Sequence, residues 1–258
     1  MSRKKKRMEN ELTVTEEKQL AVPVDAPLGF GEDDADDLII PRIKVAQALT
    51  PEVKDKKVDI GDIFNSLTME VLTDKNFIPI CKFNNHIYWR PRNEGGGIIC
   101  RAADGKVGTW EDGSVKYCNQ CRKCEFDNTK QGRDAIPACT KYINFLGFFE
   151  GEYMPIILSF SKTNMQEGKK MYSMAKVARQ NIWNFKYQLK SVERHKGGND
   201  WFVIDPIGAG PTTEEDRAIA IELFNQFAAS ITTIRYDMDE TKAVETTVEA
   251  DDDDGNEF

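Results

Sequence analysis

A mainly β fold with flanking helices is predicted by three features of the sequence. Several short segments alternate apolar and polar residues, which is the period of a strand with one buried face. Two longer segments, near 164–178 and 212–228, repeat apolar residues at helical spacing. Five of the six cysteines lie within forty residues, in a stretch rich in Gly, Asp and Asn that could not build an apolar core without a metal cross-link.

Charge divides the chain into three parts. The last 22 residues hold ten acidic side chains against one lysine, and residues 1–37 hold ten against six basic ones, which leaves 38–236 with a net charge of +5. Segments of such composition cannot bury enough apolar surface to offset the entropy of ordering them. We therefore predict a flexible charged arm at 1–37, a folded domain at 38–236 and a disordered acidic tail at 237–258.

The segment 77–92 alternates as a strand, with Ile87 and Trp89 on one face. Rings stack on unpaired bases and guanidinium groups hold phosphates, so the other face is the first candidate for nucleic-acid binding. A half-buried strand with a merely polar outer face is the alternative. The candidates on this face are Tyr88, Arg90 and Arg92.

A hairpin is predicted for 142–149 and 153–160, around a turn at Glu150 and Gly151. Its first arm has more rings than one face of a small core normally accommodates, so we expect some of them to be exposed. Tyr142 and Phe148 are assigned to the nucleic-acid face on this basis.

A helix is predicted from Thr163 or Asn164, because either residue can cap it. A final helix follows Pro211, capped by Thr212 or Thr213. The apolar stripe of the first helix is predicted to be core and comprises Met171, Met174, Ala175 and Ala178. On the opposite side of this helix, Lys169, Lys170 and Lys176 are predicted to form an ordinary solvated face. The second buried stripe comprises Ala220, Leu223, Phe224, Phe227 and Ala228.

Between these helices, 183–191 alternates as a strand and returns through a turn at 196–199 to 201–204. The rings of Trp183, Phe185 and Tyr187 share one side with Leu189. The other side offers Lys186 and Lys190 to a nucleic-acid backbone.

A zinc site is predicted at 93–141. The pair Cys118 and Cys121 has the Cys-x2-Cys spacing that turns two thiolates toward one point, and Cys100 and Cys139 flank it symmetrically. Cys124 forms an equally good pair with Cys121, so one of the three clustered thiols is spare. Without a secretion signal, disulfides are not expected.

The chemistry of such a site is structural rather than catalytic. A four-thiolate zinc is closed, and neither histidine sits in a catalytic zinc motif. No carboxylate cluster with metal-ligand spacing, phosphate-cradling loop or nucleophile–base pair appears in the sequence. We therefore do not expect an enzyme.

We predict an oligonucleotide-binding-type β-barrel with a zinc-ribbon-like insertion. The prediction rests on the short strands, the helix between them, the zinc-binding insert and the rows of basic and aromatic residues. Five motifs follow one another in the chain: Pro41-Arg42-Ile43-Lys44, Gly61-Asp62-Ile63-Phe64, the cysteine cluster leading into Tyr142-Ile143-Asn144-Phe145, an aromatic-lysine hairpin and an acidic tail. In this order of motifs the chain resembles the zinc-containing single-stranded-DNA-binding proteins of tailed bacteriophages.

The resemblance implies a protein that coats single-stranded DNA in phage replication and recombination, in the cytoplasm of the infected host. The tail, through Asp251, Asp252, Asp253, Asp254 and Phe258, would recruit replication or recombination proteins of phage or host, or compete for the groove. No run approaches a membrane span, so no membrane is expected as a partner. The alternative is a zinc-ribbon interaction protein that bridges replication or transcription enzymes without binding DNA strongly.

Overall fold

The computed structural model describes residues 39–91, 94–126, 129, 136–228 and 231. The chain divides into two units, 1–33 and 34–258, and every described residue lies in the second. The predicted arm at 1–37 and the predicted tail at 237–258 lie outside the described residues. Within the described part, the strands are β1 (Arg42–Val45), β2 (Ile63–Asn65), β3 (Asn76–Trp89), β4 (Ile98–Ala102), β5 (Val107–Trp110), β6 (Val115–Tyr117), β7 (Cys139–Phe149), β8 (Ile156–Ser161), β9 (Phe185–Lys196) and β10 (Asn199–Pro211), and the helices are α1 (Pro51–Lys54), α2 (Cys118–Cys121), α3 (Met165–Val177) and α4 (Glu214–Phe227).

β3 organises the sheet. One edge of β3 pairs antiparallel with β7 from Phe77 to Tyr88. The other edge of β3 pairs with β9 at its first residues and with β4 at its last. The main path of the sheet runs β2-β1-β8-β7-β3-β4-β5-β6, and β10 joins through β9. β1 and β8 are parallel, and the other strand pairs are antiparallel. The prediction of a mainly β fold with flanking helices is confirmed.

The sheet does not close into a barrel through strand pairing within the described residues. The outer edge of β10 instead meets one side chain that follows β1. The amide of Gln47 donates to the carbonyl oxygen of Phe202 at 2.8 Å and accepts from its backbone N–H at 2.9 Å. This amide satisfies the two backbone groups that a further strand would otherwise bond.

Two apolar cores lie on the two faces of β7, and together they correct the expectation of exposed rings. Phe145 and Phe149 belong to the core that α3 covers, whereas Phe148 belongs to the core that α4 covers. Relative exposure is 0% for Phe145 and Phe148 and 3% for Phe149. The prediction that some rings of this arm reach solvent was wrong for these three, because a central strand with helices on both sides buries both of its faces.

The predicted helices are present, with partial differences in their buried stripes. In α3, Met171 and Ala175 are buried, but Met174 and Ala178 are exposed. Thr213 caps α4 and forms a capping box with Asp216. The predicted stripe of α4 packs on the sheet as expected. No helix in the part of the chain that the structure describes is long and apolar enough to cross a bilayer.

Both predicted hairpins are confirmed by strand register. Lys196 pairs with Asn199 across Gly197 and Gly198, which both have positive φ, as a tight two-residue turn requires. Trp183 departs from the prediction. It lies in a 3-10 helix before β9 and packs on Phe224 of α4, with ring centroids 5.4 Å apart, rather than beside Tyr187 in the other core.

Gly147 marks the closest approach of two central strands. A Cβ at this position would lie 2.4 Å from the carbonyl oxygen of Ile78 and 2.4 Å from the ring of Phe77. The Gly147→Ala substitution should therefore lower the free energy of unfolding by about 1–3 kcal/mol through overpacking. Urea denaturation measures this. The matched control is Gly208→Ala, whose new methyl would meet only the flexible tip of Met174 at 3.3 Å and should change stability far less. Equal effects would contradict this packing.

Candidate nucleic-acid interface

Two aromatic rings lie side by side where β3 enters the segment between β3 and β7. Tyr88 pairs with Cys100, and Cys100 pairs with Trp110, so the three side chains share one face of the sheet. The rings of Tyr88 and Trp110 meet edge to face, with centroids 5.9 Å apart. The ammonium of Lys123 lies 5.7 Å from the Tyr88 ring and that of Lys116 lies 4.6 Å from the Trp110 ring. We call these four residues the ring row.

The same face of β3 continues toward α3 as a groove. Its volume is about 320 Å³. The ammonium groups of Lys82 and Lys176 lie 5.0 and 5.5 Å from the ring of Tyr172 on α3. We call this the lysine groove; its lining comprises Lys82, Asn84, His86, Lys141, Tyr142, Ile143, Met165, Lys169 and Tyr172.

α3 holds its side of the groove through a close helix–strand contact. Gly168 is buried, and a Cβ there would lie 2.9 Å from the ring of Phe160 on β8. The missing side chain lets the helix approach the sheet, which brings Lys169 and Tyr172 over the strands. Tyr187 on β9 also contacts α3, because its hydroxyl donates a hydrogen bond to the carbonyl oxygen of Met171 at 3.2 Å.

The predicted residues of β3 and β7 are divided between the two faces of the sheet. Tyr88 lies half-buried in the ring row. Arg90 forms an ion pair with Glu111 and a 3.4 Å hydrogen bond to the carbonyl oxygen of Gly96, so its charge is already partnered. Tyr142 lies near Trp89, whose indole N–H donates to its hydroxyl at 3.3 Å. Arg92 lies outside the described residues.

The remaining predicted positions separate by burial. The prediction that Phe148 stacks on bases was wrong, because its ring is fully buried under α4. Lys186 forms an ion pair with Glu150, whereas Lys190 is exposed on β9. The tail residues Asp251 to Asp254 and Phe258 lie outside the described residues.

The five clustered cysteines lie within electrostatic range of one another, and Cys124 and Cys139 are buried. The Sγ of Cys124 contacts Nδ1 of His86 at 3.6 Å and also accepts a hydrogen bond from the thiol of Cys139. Cys100 Sγ lies over Gly108, where a Cβ would come within 2.7 Å of it. Among the described residues, however, no group of three or more His, Cys, Asp or Glu side chains is arranged to hold a metal ion.

The register explains why the predicted four thiols do not meet at one point. Cys100 and Cys139 both pair with Tyr88, from opposite edges of β3. Two strand spacings place their Cα atoms about 10 Å apart. Sulfur ligands of one tetrahedral zinc lie only about 3.8 Å from each other, whereas here the side chain of Tyr88 lies between the two cysteines on the same face of the sheet. The donor chemistry of the cluster suits zinc, but the ligand set predicted from spacing is not assembled in this conformation.

Thiol acidity varies within the cluster. The hydrogen bond from the Cys139 thiol, helped by His86, lowers the pKa of Cys124 to about 5, and the same bond raises the pKa of Cys139. Burial raises the pKa of Cys118 to about 11 and also raises that of Cys100. Outside the cluster, burial raises the pKa of Cys81, which packs against the core under α4, to about 11.

Sequence reasoning missed the lysines and two of the rings of this face. Lys169, Tyr172 and Lys176 are spaced i, i+3 and i+7, which places them on one side of a helix and was a readable signal. The alternation that selected Tyr88 also extends back to Lys82 on the same face. Trp110 and Lys123 come together only through the pairing of β3, β4 and β5, which no local pattern reveals.

The strand-rich body and its interface lie almost entirely within one family match. The matching family model is described as Pam3 phage gp34-like protein, and it covers residues 15–232. The chain belongs to this phage protein family. Neither a curated protein nor a solved structure matches the chain.

The ion pair of Glu150 with Lys186 predicts a pH-dependent contribution to stability. Lys186, followed by Asn76, holds the pKa of Glu150 below its usual value. The stabilisation is therefore complete above the unfolded pKa of about 4.3 and is lost as the pH falls through the lowered folded value. Glu150→Gln should cost about 0.5–1 kcal/mol at pH 7 and little at pH 3 in denaturant titrations. Glu222→Gln, on exposed α4 surface, is the control, and a pH-independent loss in Glu150→Gln would refute the linkage.

Proposed function

We propose that the protein binds single-stranded DNA in a sequence-tolerant way, as a coating protein of phage replication or recombination and without enzymatic activity. The ring row carries this proposal, because two neighbouring half-buried rings with ammonium groups over them combine base stacking with phosphate attraction. The lysine groove extends the same chemistry along β3. Membership of a phage protein family is consistent with this role.

The strand order supports an oligonucleotide-binding-type architecture. Taken in order, β3, β7 and β8 form a meander, α3 follows, and the β9–β10 hairpin returns to pair with β3. This order of five strands supports the proposal of an oligonucleotide-binding-type barrel, which is five-stranded. β1 lies parallel to β8, and Gln47 joins the segment after it to β10, where the barrel would close.

Single-stranded DNA binding should show two measurable properties. Affinity for a thirty-nucleotide polythymidine should fall from 50 to 200 mM salt, with a log–log slope of about −0.7 for each phosphate contacted. Tyr88→Leu and Trp110→Leu should each weaken binding about 5-fold or more through lost stacking. Fluorescence anisotropy measures both.

The control for this titration is Tyr153→Leu, which removes an exposed ring from the segment that follows the other end of β7. It should leave affinity unchanged, and duplex DNA should bind more weakly than the single strand. A flat salt plot, or equal losses in all three variants, would overturn the proposal.

A structural zinc is proposed for the cysteine cluster on the basis of its donor chemistry, although its binding would require the thiols to converge further. Metal analysis of the purified protein should find zinc, lost in Cys100→Ser, Cys118→Ser and Cys139→Ser. It should be retained in the core control Cys81→Ser and in one of Cys121→Ser and Cys124→Ser, which identifies the spare thiol. Zinc-free wild-type protein, or full zinc in the first three variants, would reject this site.

A second function, a zinc-ribbon protein that bridges replication enzymes, is favoured by one observation. The segment between β3 and β7 exposes four large apolar side chains, which suits a protein partner; they are Val115, Tyr117, Phe126 and Ile136. This second function predicts that the protein has negligible affinity for polythymidine in the titration described above. The acidic tail remains the proposed recruiting segment for phage or host proteins under either function.

A further inference from the structure

The lysine groove has the charge of an anion site, because it gathers lysines that the described carboxylates do not neutralise. Among the described residues, Lys82, Lys141 and Lys169 form no ion pair with a carboxylate. Just outside the groove the pattern reverses, since Lys170 pairs with Asp205 at 3.2 Å. Also on α3, Glu167 accepts from Arg194 at 3.3 Å. The fold neutralises the flanking charges and leaves those that line the groove to repel one another, which an anionic ligand would relieve.

The groove also has an apolar and aromatic floor. Tyr172 is half-buried, and its ring already attracts the ammonium groups of Lys82 and Lys176. Ile143 and Met165 complete the apolar lining. The amide of Asn84 accepts a 2.9 Å hydrogen bond from Lys82, so this cation is held by a neutral group that can yield to a stronger acceptor.

Size limits the ligand. A volume of about 320 Å³ lies at the small end of ligand pockets, suited to one base with its sugar and phosphate rather than to a stack of several. The ring of Tyr172 offers a surface for a base, and the three unpaired lysines surround the place for a phosphate. A groove without carboxylates among its lining residues does not suit a cationic ligand.

We propose that the lysine groove is a pocket for one nucleoside monophosphate group, with its base on Tyr172 and its phosphate among Lys82, Lys141 and Lys169. The group is supplied either by a free nucleotide or by one residue of a bound strand. The pocket shares no lining residue with the ring row. It shares the nucleic-acid chemistry of the proposed function but does not require a long strand.

Calorimetric titration of the full-length protein with thymidine monophosphate, thymidine and inorganic phosphate tests this pocket. The monophosphate should bind, and each of the two fragments should bind at least about tenfold more weakly, because only the whole nucleotide uses both the ring and the lysines. Tyr172→Leu and Lys141→Gln should each weaken monophosphate binding about 5-fold or more. Absence of monophosphate binding, or equal affinity for inorganic phosphate, would overturn the proposal.

The matched control is Lys170→Gln, which removes the same charge from the same helix but from a lysine that is already paired. Its affinity for the monophosphate should equal that of the wild type. The melting temperature of Lys141→Gln should stay close to that of the wild type, so that its loss of affinity does not reflect unfolding. A loss of affinity in Lys170→Gln as large as that in Lys141→Gln would mean a diffuse charge effect and no pocket.

Photocrosslinking of the unmodified protein avoids any dependence on variant folding. Free 5-iodo-deoxyuridine monophosphate should crosslink to the peptide that contains Tyr172, and excess thymidine monophosphate should suppress it. Crosslinks confined to the peptides of Tyr88 or Trp110 would place the nucleotide in the ring row and reject the groove.

The two nucleotide sources, and the two proposals, separate in a competition. If polythymidine displaces the monophosphate and Tyr172→Leu weakens both ligands, the pocket holds a residue of the strand. If the monophosphate binds while polythymidine does not, single-stranded DNA binding fails and the pocket stands as a site for free nucleotides. If polythymidine binds through Tyr88 and Trp110 while the monophosphate does not bind, the pocket fails alone.

Discussion

The antiparallel pairing of β3 with β7 is the constraint on which the rest of the structure depends. It joins the central meander to the segment that carries the cysteines, because β3 passes from β9 at its first residues to β4 at its last. It also separates two faces. One is covered by α4 and is apolar along most of its length, whereas the other changes from core near Phe145 to a basic, aromatic surface near Tyr88.

That change of environment along a single strand explains how a small body can have both a core and an open basic surface. The face of β3 that bears Phe77 belongs to the α3 core, and farther along the strand the face that bears Lys82, His86 and Tyr88 is only partly covered. Strand residues two apart keep their direction, so the surface is aligned with the pleat.

Local patterns predicted the secondary structure well, and the long-range arrangement was beyond them. The hairpins at 142–160 and 185–211, and both long helices, follow from alternation, helical spacing and capping residues. The burial of Phe148 does not, because it depends on α4 returning to cover a strand more than sixty residues earlier in the chain. The separation of Cys100 from Cys139 likewise depends on register: spacing along the chain does not show that Tyr88 lies between them.

The junction at Gln47 and Phe202 has a dynamic consequence. In a paired strand, the backbone hydrogen bonds are distributed over many residues. At this junction both hydrogen bonds are made by the side chain of Gln47, which can rotate. Transient separation of β10 from the segment after β1 therefore needs one rotamer change and leaves the neighbouring pairs β9–β10 and β1–β8 intact. We therefore expect amide protons along this seam to exchange with solvent through small local openings, before those at the centre of the β3–β7 pair.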